Sequence, residues 1–203
     1  MATFSLVHGA WHGGWCWNDV RTELEARGHI VHAPDLPCED VEARVGEYAA
    51  VVPPADVVVR HSLGGLVIPL VEAATRVFVG ALVGGTGWRD VFVPGFGDAR
   101  VRDELGRSYY PEPAAAAREL QYPPGHVSLA ERLRRQAPLE AELPVLDGRI
   151  VYVVCARDAT IRPEWQRHLA RNVLAVEPVE LDAGHSPLLS HPSELASLLD
   201  SLA

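Results

Sequence analysis

The chain has 203 residues, 48% hydrophobic and 22% charged, the balance of one ordinary folded domain and not of a disordered, collagenous or disulfide-built chain. The formal net charge is −9 and the pI near 5.4, which speaks against a nucleic-acid-binding surface. All 18 basic residues are arginine, so chemistry that needs a lysine, such as a Schiff base or a phosphate-loop lysine, is excluded.

The predicted elements alternate along the chain. Residues 4–7 are a β-rich run ending in His8-Gly9, and Trp17, Val20 and Leu24 follow at helical spacing, with Gly28 placed to end that helix. Residues 30–33 form a second strand, stopped by Pro34-Asp35, and residues 56–59 a third. Leu63, Leu66, Val67, Leu70 and Val71 then repeat as a helix, residues 77–83 read as a fourth strand and residues 149–155 as a fifth. Pro163 suits the first turn of a helix carrying Trp165 and Leu169, residues 173–181 contain a sixth strand, and Pro192 opens a last helix with Leu195, Leu198, Leu199 and Leu202 on one face.

Near-continuous apolar strands alternating with helices predict a parallel sheet covered on both faces. The rhythm breaks over residues 86–147, where Pro94, Pro111, Pro113, Pro123, Pro124, Pro138 and Pro144 interrupt two helical stretches, 114–120 and 129–135. An inserted helical cap accounts for this better than a structureless loop. The expected organisation is one domain, with a core of residues 1–85 and 148–203 and a cap of residues 86–147.

No apolar run reaches the length of a membrane span. Met1-Ala2-Thr3-Phe4-Ser5-Leu6 lacks the charged segment and long apolar core of a secretory signal, so a cytoplasmic protein is expected, with neither a membrane nor a nucleic acid as partner. Cys16, Cys38 and Cys155 have no metal-binding or redox spacing and read as buried thiols. Neither a metal nor an organic cofactor is implied, and a homodimer is left open.

The chemistry concentrates in Asp56-Val57-Val58-Val59-Arg60-His61-Ser62-Leu63-Gly64-Gly65. An apolar strand running into a serine and then a helix predicts a nucleophile elbow, with Ser62 exposed above the strand end and at a helix N-terminus. Ser62 as a plain helix cap is the alternative. A serine nucleophile needs a base and an acid that orients the base, in the chain order serine, acid, histidine. Asp158 directly follows the fifth strand and His185 follows the sixth, in Leu181-Asp182-Ala183-Gly184-His185-Ser186-Pro187. Both therefore belong to the sheet edge where open α/β folds bind ligands. Asp182 is the rival acid, although three residues before His185 it is expected to cap its own turn. His12, His29, His32, His126, His168 and His191 show no partner pattern and read as surface or packing residues, while His61 is expected beside the elbow. Acyl transfer also needs amide donors for an oxyanion. Leu63 N–H supplies one, and Ala10 N–H, in His8-Gly9-Ala10-Trp11-His12-Gly13-Gly14-Trp15, the other. That loop alternatively serves only to stack its tryptophans on the core.

Leu6-Val7-His8-Gly9-Ala10-Trp11-His12-Gly13-Gly14-Trp15-Cys16-Trp17, Val151-Tyr152-Val153-Val154-Cys155-Ala156-Arg157-Asp158 and Trp165-Gln166-Arg167 resemble the plant methyl esterase and hydroxynitrile lyase family of α/β-hydrolases over about two-thirds of the chain. The resemblance implies a six-stranded, mostly parallel sheet in the order 2-1-3-4-5-6 with helices on both faces and a small helical cap. It places nucleophile, acid and base on Ser62, Asp158 and His185. Three departures stand out. Arg60 replaces the glycine of the elbow pattern, the cap and the stretch between Asp35 and Asp56 are short, and Gly9 and Ser186 stand where the lyases carry threonine and lysine. The implied activity is a serine hydrolase acting on a small carboxylic ester. A lyase, cyclase or decarboxylase on the same scaffold, or an impaired binding protein, is the alternative. Arg60 must find a carboxylate or carbonyl partner, and either swings aside or widens the turn and pulls Ser62 from His185.

Overall fold

The strands of the computed structural model are, in chain order, β1 (Thr3–Val7), β2 (Ile30–His32), β3 (Ala55–His61), β4 (Ala73–Val79), β5 (Val101–Arg102), β6 (Ser108–Tyr109), β7 (Arg149–Cys155) and β8 (Val179–Leu181). The structure describes residues 1–9, 12–37, 45–84, 101–102, 108–109 and 146–203. Six strands form one sheet in the order β2-β1-β3-β4-β7-β8, with every neighbouring pair parallel. Counted as sheet strands alone, this is the expected 2-1-3-4-5-6. The order reverses between β1 and β3, which places a ligand crevice at their C-terminal ends.

The helices are α1 (Asn18–Ala26), α2 (Val45–Ala50), α3 (Pro163–His168), α4 (Pro187–Ser190) and α5 (Pro192–Asp200). Pro163 and Pro192 each open a helix, where a missing N–H costs nothing. The valine-rich strands alternate their side chains between two buried faces. Phe4, Leu6, Val57, Val59, Val77, Val79, Val151 and Val153 share one apolar core with Trp17, Val20 and Leu24 around α1 and Leu195 and Leu199 of α5. On the other face, Val7 and Val58 meet Tyr48 of α2 and Leu63, while Phe78, Tyr152 and Val154 meet Leu169 and Ala170. Each large apolar side chain so buried contributes roughly 1.5–3 kcal/mol.

Two elements differ from the sequence reading. The fourth strand covers Ala73–Val79 rather than residues 77–83, because Gly80, at φ +50°, turns the chain out of extended conformation. The helix after β3 is a 3-10 helix, Ser62–Leu70, not an α-helix. Length explains this. β3 and β4 each run seven residues, so the crossover must travel back roughly 23 Å at ~3.3 Å per residue. The 3-10 rise of ~2.0 Å per residue carries the chain further than the ~1.5 Å of an α-helix, and β4 begins only eleven residues after Ser62.

Within the expected cap, β5 and β6 pair as a short antiparallel ribbon. The two predicted helical stretches, 114–120 and 129–135, lie outside the described residues, as does Cys38. No helix among the described residues is long and apolar enough to cross a membrane.

Candidate active site

Ser62 sits at the junction of β3 and its 3-10 helix with φ +53°. A residue with a side chain rarely adopts that conformation, which costs of order 1–3 kcal/mol and persists only when its surroundings enforce it. Two enforcing contacts are visible. Leu82 N–H donates to the Ser62 carbonyl at 2.9 Å. The elbow also lies so close to its neighbours that a Cβ on Gly65 would overlap the Leu82 carbonyl, and one on Gly64 would come within 2.7 Å of the His8 carbonyl. From the β1 side, a Cβ on Gly9 would fall 2.8 Å from the Ser62 Cβ. The glycines therefore provide clearance around the serine.

His185 and Asp158 come from the ends of β8 and β7 and meet Ser62 there. Ser62 Oγ–H donates to His185 Nε2 at 3.0 Å, and His185 Nδ1–H donates to Asp158 Oδ2 at 2.8 Å. The tautomer follows from the partners, since a carboxylate only accepts. Asp158 and His185 are buried, whereas Ser62 is half-buried and open to a ligand. Thr160 N–H and Ile161 N–H donate to Asp158 Oδ1 at 2.7 and 3.0 Å. Gln166 Nε2 donates to Oδ2 at 2.7 Å. Four hydrogen bonds thus hold the carboxylate in one orientation.

Two further histidines hold the frame. His61 Nε2–H donates to the His185 carbonyl at 2.7 Å, so the residue before the serine also anchors the histidine loop. Burial, then the neighbouring His185 and His12, push the His61 pKa well below the ordinary histidine value, which keeps the ring neutral. Leu36 N–H donates to His8 Nε2 at 3.0 Å, and His8 Nδ1–H donates to the Gly9 carbonyl at 2.8 Å. Burial lowers the His8 pKa to about 4. Asp35 Oδ1 also accepts Gly14 N–H at 2.6 Å. The loop after β1 is thereby tied to the loop after β2.

Arg60 does not swing out. It is fully buried, in register between Val7 of β1 and Phe78 of β4. Burial first, and the nearby charge of Arg76 second, push its guanidinium pKa well below the usual arginine range. The turn is not widened either, because Ser62 and His185 stay within hydrogen-bond distance.

Leu63 follows Ser62 as the second residue of the 3-10 helix, with its side chain buried, and Ala10 lies outside the described residues. Asp182 does not cap its turn; it is exposed and ion-paired with Arg157 Nε at 2.8 Å. His29 is no mere packing residue, since Ala2 N–H donates to its Nδ1 and its Nε2–H donates to Asp200 Oδ1 at 2.8 Å. Cys16 and Cys155 are buried, as expected. The sequence reading missed Gln166 and the His61 anchor. The available signal for Gln166 is a glutamine one helical turn before Leu169 and Ala170, on the side of the helix that a sheet would cover.

The sequence matches the alpha/beta hydrolase family over residues 6–198. The chain belongs to that family. It is 31% identical to salicylic acid-binding protein 2 of Nicotiana tabacum, with 97% of this chain and 95% of that protein covered. It is 26% identical to methylesterase 3 of Arabidopsis thaliana, over 98% and 94% of the two chains. That alignment spans 252 positions against 203 residues here, so the plant hydrolase carries segments this chain lacks. Among solved structures, an Arabidopsis methylesterase superposes with a TM-score of 0.68 at 20% identity over 100% of this chain and 98% of its own. A pyrethroid hydrolase from Sphingobium faniae gives 0.65 at 22%, over 98% and 96%. At these identities the superpositions speak for the hydrolase fold.

Proposed function

We propose that the protein is a carboxylic ester hydrolase that cleaves small esters through an acyl-enzyme on Ser62. The observation that carries this reading is the continuous chain Ser62 Oγ to His185 Nε2, His185 Nδ1 to Asp158 Oδ2, built on a serine held at positive φ. His185 takes the hydroxyl proton as Ser62 Oγ attacks the acyl carbon, and Asp158 fixes the tautomer and stabilises the imidazolium. The amides of Leu63 and Ala10 serve the oxyanion. Collapse of the tetrahedral intermediate expels the alcohol, which receives the proton from His185. Water, deprotonated by the same histidine, then releases the acid. Relatives whose names denote methylesterases, including a methyl jasmonate esterase of Vitis vinifera, support a small ester as substrate.

A relative of 26% identity named norfluorocurarine synthase 1, from Strychnos nux-vomica, keeps a second chemistry on this scaffold in view. Ester hydrolysis is the better reading, because relatives of equal or higher identity carry esterase names, among them methylesterase 9 of Arabidopsis thaliana at 30%. The test combines covalent labelling by a fluorophosphonate with turnover of a panel of methyl and aryl esters. Labelling at Ser62 with ester turnover is expected. Labelling without turnover moves the second chemistry to the front, and absence of both overturns the enzyme reading.

A further inference from the structure

Gln166 is fully buried on α3, and every polar atom of its amide is used. Nε2 donates to Asp158 Oδ2 at 2.7 Å and to the Ile161 carbonyl at 2.9 Å, while Oε1 accepts Cys155 N–H at 2.9 Å. These partners fix which end of the amide is which, since a carboxylate and a carbonyl only accept and an N–H only donates. The bonds to Cys155 and Ile161 pin α3 to the end of β7, which is a structural task. The bond to Asp158 is not needed for that task. It ends on the oxygen that accepts His185 Nδ1–H.

We propose that Gln166 is a positioning residue for proton transfer, holding Asp158 Oδ2 toward His185 Nδ1 and setting how strongly the carboxylate favours the protonated imidazole. The inference rests on the ester-hydrolase reading of Ser62, His185 and Asp158. With Oδ1 tied to Thr160 and Ile161 and Oδ2 tied to Gln166, the carboxylate cannot rotate without breaking bonds beyond its contact with His185. An oxygen shared by two donors also gives less of its charge to either. Loss of the Gln166 donor therefore both loosens the carboxylate and strengthens its pull on the His185 proton.

Among the described residues, several titratable groups face this pair. His61 packs 4.8 Å from the His185 ring and is kept neutral by burial. His12, edge-on to the His61 ring at 5.7 Å, and His8 act on His61 itself, and His8 is neutral above about pH 4. Cys155 and Tyr152 lie on the β7 side. Tyr152 is held protonated by burial, and its hydroxyl donates to the Ala81 carbonyl at 2.6 Å.

Gln166→Met tests the proposal. The variant keeps the length of the side chain and removes the donor to Asp158 Oδ2 without setting a second carboxyl against it, which would share a proton with Asp158. The acidic limb of kcat/KM for an aryl ester should move up by about half a pH unit, because the carboxylate then gives more of its charge to His185. A merely structural Gln166 lowers Tm, or the rate at all pH values, and leaves the limb in place. A folded variant with an unmoved limb overturns the proposal. If the variant does not fold, wild-type protein labelled with nitrogen-15 decides. The Gln166 side-chain amide signals should follow pH with the midpoint of His185 titration, and a flat response overturns the proposal. Failure of the parent reading shows separately, as wild-type protein that neither turns over esters nor labels at Ser62. The amide titration still tests the coupling in that case.

Discussion

The two halves of the site are held by opposite means. Around Ser62 the constraint is steric, with a strained backbone at φ +53° and glycines at positions where one added carbon would strike Leu82, His8 or Ser62 itself. Around Asp158 the constraint is polar, with two backbone amides, a glutamine and a histidine donating to one carboxylate. The nucleophile half therefore cannot accept an added atom, and the acid half cannot lose a donor. The division follows from what each half does. On the proposed mechanism the serine must stay accessible to a substrate and can be held only from behind, whereas Asp158 acts through His185 and is buried among donors.

The largest effect that would break this comparison lies in activity. Ser62→Ala should cut ester turnover by at least roughly 10³-fold while Tm stays near wild type, because triad members act as a unit. Wild-type turnover by the purified variant would remove Ser62 from the mechanism. Next is Gly65→Ala, which adds one carbon against the Leu82 carbonyl and should cost about 3 kcal/mol in urea unfolding, the upper range for overpacking. A loss below about 0.5 kcal/mol would mean that the elbow is not sterically enforced.

The third prediction concerns pH and the frame around the site. His8 has a folded-state pKa of about 4, against roughly 6.5 when unfolded. Between these values the unfolded chain binds a proton that the folded one does not, so stability falls as pH drops through that window. The His8 contribution is complete above the unfolded value and lost below about pH 4, with an amplitude of about 3 kcal/mol. His61, shifted in the same direction by burial, adds to the slope. Urea midpoints measured from pH 7 to 4 check this, and a flat profile contradicts a neutral buried His8.

Two small effects sharpen the comparison. Arg60→Met should change kcat by less than about 10-fold, since the serine–histidine contact is already at 3.0 Å with the arginine present. A gain of about 100-fold would show that Arg60 impairs the native elbow. Gly46→Ala, in α2 with no atom of the described residues within 4 Å of the added carbon, should stabilise by roughly 0.5–1 kcal/mol through helix propensity alone. Any destabilisation there would mean that the steric limit is not confined to the nucleophile half.

Much of the fold was legible because its signals are local. β7 spans the predicted residues 149–155, since the apolar run of residues 150–155 behind Gly148 and Arg149 has one reading in a parallel sheet. The order of Ser62, Asp158 and His185 was legible for a similar reason: each comes within four residues of a strand end, and parallel strands deliver their ends to one edge. The 3-10 helix was not legible. Leu63, Leu66 and Leu70 satisfy a helical repeat of either kind, and the choice depends on how far the crossover must reach.

What the sequence by itself determined is therefore the sheet, its two buried faces and the edge where the reactive side chains gather, because alternation, apolar runs and turn residues act over a few neighbours. Only the tertiary structure decided that Arg60 stays buried between Val7 and Phe78, that His61 reaches the carbonyl of His185 and that Gln166 closes the ring of donors around Asp158. Each of these joins residues from different elements. Their hydrogen bonds form only after packing has excluded water and brought those elements within about 3 Å, a distance that no spacing along one chain segment encodes.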